Sequence, residues 1–161
     1  MSNSINKSIT INTLTPTYDK VEDRIRLSIN YQDLNNRCDV MITRSFILQI
    51  LPAIEEYIYK HYPNEPILED DEIQINSSSS QKDNSFSQTQ MEDIELYKNL
   101  EDLLITLNLH YHQETQLTIL SFITKENYNL SLNCNVDMLK NILKAIKKSI
   151  PVYSWNLVGL V

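Results

Sequence analysis

Two histidines separated by one residue, His110 and His112, come closest in this sequence to a metal-binding pattern, with Glu114 two positions further on. Alternate side chains of a β-strand lie on one face, so these three groups could converge on a metal ion. The apolar residues that alternate with them, including Leu109 and Tyr111, predict instead that the histidines face solvent near a hairpin turn. We therefore expect surface histidines, and a small metal-dependent enzyme using His110 and His112 is the alternative.

The arginines are the second candidate group, because all four lie between positions 24 and 44 of a chain that elsewhere uses lysine. The alternation of charged and apolar residues predicts that Arg24, Arg26 and Arg37 share the outer face of a hairpin. Guanidinium groups placed in this way could bind a phosphate or an acidic peptide bidentately. An anionic-ligand or partner site on these three residues is therefore one hypothesis, and local pairing with acids such as Asp19 and Asp39 is the other.

The apolar segment 151–161 contains the third candidate pair, Tyr153 and Trp155. Aromatic side chains are enriched at the energetic centres of protein interfaces. We expect a final strand or extended segment here, which either packs in the core or presents these two residues to a partner.

Several classes of catalytic site are excluded by composition. The single glycine, at position 159, rules out the P-loop, the dinucleotide-binding fingerprint and the G-x-S-x-G elbow within this sequence. Cys38 and Cys134 are too few for a disulfide framework, and both fall on inward strand positions, which predicts buried thiols in a reducing compartment. We predict no catalytic residue and no cofactor.

Charge is concentrated in the middle of the chain. The net charge is −7, and residues 63–102 carry eleven acidic side chains against two lysines. The polar, serine-rich stretch 63–90 predicts a disordered linker, and the helical spacing of 91–104 predicts a short helix after it. The remainder of the chain is nearly neutral, so a nucleic-acid footprint is not expected.

The fold class follows from a pattern that occurs twice. Residues 46–58 and 138–150 align with five identities, four of them on one helical stripe, and Thr43 and Asn135 are matching cap residues. Period-two alternation predicts strands over 8–14, 24–31, 37–43, 103–111, 116–124 and 128–134. We predict an α+β protein of two pseudo-repeated β-β-β-α modules with antiparallel sheets, spanning 1–62 and 91–161, which share one core and are joined by the acidic linker.

The functional expectation rests on the missing catalytic motifs and the long linker. We expect a non-enzymatic, cytoplasmic protein–protein interaction protein: an adaptor, an assembly factor or an inhibitor. Another protein is the expected partner, and a homodimer is one form of it. Nucleic acid and membrane are not expected partners, since no apolar run is long enough to span a bilayer.

Overall fold

A computed structural model describes residues 7–64 and 101–157, which form seven strands and two helices. In chain order these are β1 (Lys7–Thr10), β2 (Leu14–Asp19), β3 (Arg24–Ile29), β4 (Cys38–Ile42), α1 (Arg44–His61), β5 (Glu101–His112), β6 (Leu117–Thr124), β7 (Tyr128–Cys134) and α2 (Val136–Ser149).

The seven strands form one mixed sheet in the order β1-β7-β6-β5-β4-β3-β2. Strand β4 is parallel to β5 and β1 is parallel to β7, whereas the other neighbours are antiparallel. The prediction of two β-β-β-α modules with separate antiparallel sheets is therefore wrong. Strands β4 and β5 pair through backbone hydrogen bonds, so the strands of both halves of the chain belong to a single sheet.

The sheet is curled into a half-barrel. Helix α2 contacts both β2, at one end of the strand order, and β7, next to the other end. A flat sheet could not bring these two strands to one helix, because neighbouring strands are about 4.8 Å apart and four strands lie between them. The helices therefore lie on the concave side of the sheet.

A seam at residues 11–13 joins the two ends of the sheet. β1 and β2 lie at opposite ends of the strand order, although only these three residues separate them. The buried Asn30 side chain holds the crossing: its Oδ1 accepts from the backbone N–H groups of Asn12 (2.8 Å) and Thr13 (3.1 Å), and its Nδ2 donates to the carbonyl of Thr10 (2.8 Å). The single strand predicted over 8–14 is therefore two strands with different neighbours.

Both helices begin where the sequence predicts. Thr43 accepts a hydrogen bond from the backbone N–H of Phe46, and Asn135 accepts one from that of Met138, so each caps its helix. The stripes that face the sheet are aliphatic and belong to one continuous core with both halves of the sheet. Their buried aliphatic residues are Ile47, Ile50, Leu51, Ile54, Leu139, Leu143 and Ile146.

Between the two halves of the chain, the structure describes residues up to 64 and again from 101. The predicted linker 63–90, apart from Pro63 and Asn64, lies outside the described residues, as do the first ten residues of the helix predicted over 91–104. The last four residues of that predicted helix, 101–104, are instead the start of β5, because this segment pairs with β4.

Neither helix in the described ranges combines the length and the apolar character needed to cross a membrane.

Candidate protein-binding surface

One face of strands β5, β6, β7 and β1 is not covered by either helix. On the opposite face of these strands, Leu120, Phe122 and Leu130 are buried in the core with the helices. We call the uncovered surface the open face. The paired strands place on it Ser8, Thr10, Thr106, Asn108, His110, His112, Leu117, Ile119, Ser121, Ile123, Asn129, Ser131 and Asn133.

The open face carries no Asp, Glu, Lys or Arg, although these residues make up 22% of the chain. Its aliphatic side chains, Leu117, Ile119 and Ile123, are partly exposed and lie on the same strand, β6. Ile105 lies where the pairing of β5 with β6 shifts register, and it is 48% exposed. Because burying an unpaired charge is costly, a surface without charges is the least expensive one to desolvate on binding.

The open face ends at β5. On the same side of the sheet, strands β3 and β4 carry Arg26, Ser28, Asp39 and Met41, and all four are buried. The two halves of this side therefore differ in chemistry, since one half holds enclosed charges and the other presents neutral groups to solvent.

His110 and His112 lie on the open face, exposed to solvent as the alternation predicts. Their rings contact each other edge to face with centroids 4.8 Å apart. The third histidine, His61, lies on the helix side of the sheet and not on the open face. Its ring contacts those of Tyr57 and Tyr111 there. Within 7–64 and 101–157, no group of three His, Cys, Asp or Glu side chains is arranged to hold a metal ion.

Two of the three candidate arginines are enclosed. Arg37 forms a bidentate pair with Asp39, with Nε 3.2 Å and Nη2 2.8 Å from the carboxylate oxygens, and neither side chain is exposed. Arg26 Nη2 lies 3.0 Å from carboxylate oxygens of both Asp19 and Glu101. Only Arg24 is substantially exposed, so the structure does not bring the three guanidinium groups together on an accessible surface.

A cavity of about 580 Å³ beside Arg37 has mixed charge. Lys7 and Arg37 line it together with three acids, Glu101, Asp102 and Glu126. Negative side chains outnumber positive ones in this lining, which disfavours an anionic ligand there. The anion-binding hypothesis stays a prediction that this geometry does not favour.

The structure separates the two aromatic candidates of the C-terminal segment. Trp155 is fully buried: its indole N–H donates to Asp23 Oδ1 at 2.6 Å, and its ring meets that of Tyr18 edge to face at 6.2 Å. Tyr153 is 89% exposed. Residues 152–156 form turns, so the predicted strand is wrong here. The buried indole and its bond to Asp23 hold the segment in this form.

The Asp23 carboxylate accepts two short hydrogen bonds. Tyr18 Oη donates to Oδ1 at 2.6 Å, as does the Trp155 indole. The hydrogen bond from Tyr18, followed by that from Trp155, lowers the pKa of Asp23, and the same bond raises the pKa of Tyr18. The ionised form of Asp23 therefore favours the docked C-terminal segment.

Both cysteines are buried free thiols, and burial raises the pKa of Cys38 to about 12 and that of Cys134 to about 11. Since the thiolate is the reactive form, we expect neither thiol to react with a disulfide reagent at pH 7.5 in the folded protein. Thiol titration should show both groups reacting only after denaturant is added. Rapid modification of one thiol without denaturant would contradict this expectation.

Comparisons of the chain with protein-family models, with curated proteins and with solved structures found no match.

Proposed function

We propose that this chain is a non-enzymatic protein–protein interaction protein that binds its partner through the open face. The observation that carries the proposal is the contrast between this face and the other described surfaces: four adjacent strands present neutral and aliphatic side chains that neither of the two described helices covers. An adaptor, an assembly factor or an inhibitor would use such a surface to hold another protein.

The occupant that fits this face is another uncharged β-sheet face, and a second copy of the chain supplies one directly. Two such faces pack about 10 Å apart with interdigitated side chains. Neither copy would bury an unpaired charge, and the Asn, Ser and His side chains offer hydrogen bonds across the contact. A sheet-on-sheet homodimer is therefore the form of partner binding that we propose.

We also propose that the protein works in a reducing compartment such as the cytoplasm. This proposal is supported by the two cysteines, which are free thiols in the described structure.

Replacing Ile119 with lysine tests the proposed interface. Ile119 lies opposite both His110 and Asn133 on the open face, so a charge there would have to be desolvated in a dimer. We expect wild type to sediment as a dimer in analytical ultracentrifugation and Ile119→Lys to sediment as a monomer with an unchanged circular dichroism spectrum.

Val21→Lys is the matched control, because Val21 is 95% exposed in the turn between β2 and β3 and lies away from the open face. This variant should dimerise like wild type. A wild-type chain that remains monomeric at the highest soluble concentration would contradict the homodimer, as would an Ile119→Lys variant that still dimerises.

A further inference from the structure

A groove between the two helices lies on the opposite side of the molecule from the open face. Its volume is about 630 Å³, within the range of clefts that hold a drug-sized group. The apolar part of its lining comes from Pro52, Ile58, Tyr59, Tyr62 and Leu143. Tyr59 is 68% exposed, so one aromatic ring of this lining is accessible from solvent.

The α2 side of this groove carries a stripe of lysines. Lys140, Lys144, Lys147 and Lys148 follow the i, i+4, i+7, i+8 spacing of one helix face, and Lys140 and Lys147 line the groove itself. Lys144 and Lys148 are exposed, and no carboxylate of the described residues is within ion-pair distance of either. We call the groove and this stripe together the lysine groove.

The α1 side of the groove carries the opposite charge. Glu55 and Glu56 line it, and Glu55 forms an ion pair with Lys147 that links the two helices. An occupant with acids along one side only would therefore be held in one orientation, with its carboxylates toward α2 and away from α1.

We propose that the lysine groove binds an acidic linear segment of a partner protein, in which adjacent aliphatic side chains precede a run of carboxylates. The aliphatic side chains would enter the apolar part of the groove, and the carboxylates would meet Lys144 and Lys148. This is a second binding site, which lies on the helices and differs in chemistry from the open face on the strands, and it does not depend on the proposed homodimer.

Other occupants fit the charges less well. A second copy of the chain packed groove to groove would bring one lysine stripe against another, which is repulsive. A nucleic acid would meet Glu55 and Glu56 in the groove and a chain of net charge −7 overall.

The probe is the synthetic peptide PILEDDE, labelled with a fluorophore, whose sequence is that of residues 66–72 and has the required chemistry. Fluorescence anisotropy with the full chain should show saturable binding that weakens as salt is added, because the lysines are exposed and screened. The neutral analogue PILQNNQ should bind much more weakly than PILEDDE.

The charge-reversed variant Lys144→Glu/Lys148→Glu should weaken binding of PILEDDE by roughly tenfold or more. Tyr59→Ala should also weaken binding, because an apolar contact is lost. Binding by this variant should depend on salt in the same way as binding by wild type. The matched control is Lys20→Glu/Lys125→Glu, which reverses two charges outside the groove and should bind like wild type.

A second protein, lacking residues 67–88, distinguishes a partner segment from the chain's own acidic stretch. Equal binding of the peptide to the full and shortened chains supports a segment supplied by a partner. Binding to the shortened chain alone would identify the chain's own segment as the occupant and would overturn the proposal. Failure of both chains to bind, or unchanged binding by Lys144→Glu/Lys148→Glu, would also overturn it.

Discussion

Replacing Trp155 with alanine is expected to lower the free energy of unfolding by about 3–5 kcal/mol, the usual cost of truncating a fully buried tryptophan. The ring is 0% exposed, lies against Tyr18 and the guanidinium of Arg44, and is held by the bond to Asp23. Its removal would leave a cavity at the junction of the C-terminal segment with β2. Urea denaturation measures the change, followed by circular dichroism because Trp155 is the only tryptophan.

Tyr153→Ala is the matched control for this variant. Tyr153 belongs to the same segment but is 89% exposed, so its truncation should change the free energy of unfolding by no more than about 0.5 kcal/mol. Equal losses in the two variants would mean that the segment as a whole, and not the buried indole, stabilises the fold.

Replacing Asp39 with alanine is expected to have a comparable effect, about 3–5 kcal/mol, because it leaves the buried Arg37 guanidinium without its bidentate partner. Both side chains are fully buried on the side of the sheet away from the helices. The same urea titration provides the measurement, and the protein should remain folded but lose its resistance to denaturant.

The double variant Arg37→Met/Asp39→Leu separates the cost of removing Asp39 alone from the contribution of the Arg37–Asp39 pair. Replacing a buried ion pair by apolar groups of similar volume is commonly near neutral, so the double variant should be more stable than Asp39→Ala. A double variant as unstable as the single one would mean that the pair itself contributes the stability. Glu22→Ala, which removes only the 3.9 Å exposed contact with Arg24, should have an effect of at most about 1 kcal/mol.

The helices and their caps could be predicted from local sequence because their signals are local. Thr43 and Asn135 stand immediately before apolar stripes of helical period, and a cap bonds to residues three positions away. The burial of Leu51 and Leu143 follows from the same periodicity, and the structure confirms it.

The sheet could not be predicted in the same way, because strand alternation does not reveal which backbone edges pair. Residues 8–14 alternate as one strand, but the chain crosses from one end of the sheet to the other at Ile11–Thr13. The deciding contacts come from Asn30, which is remote in sequence from the segment that it holds.

The open face is not evident from alternation for a related reason. Aliphatic residues occupy both faces of β6, with Ile119 and Ile123 on the open face, so the strand has no purely polar side. That double-sided pattern was the available signal for an exposed apolar surface. The arginines show the converse case, since the acids that enclose Arg26 come from β2 and β5, on either side of it in the sheet.

The seam between β1 and β2 also constrains the order in which this chain can fold during translation. Ile9 pairs with Leu130, so strand β1 leaves the ribosome well before β7, the strand with which it pairs in the described part of the chain. Contacts between residues so distant in sequence form slowly, and unpaired strands are prone to wrong associations. Strand β1 therefore waits for β7 while the intervening residues are synthesised, a period in which a chaperone could bind it.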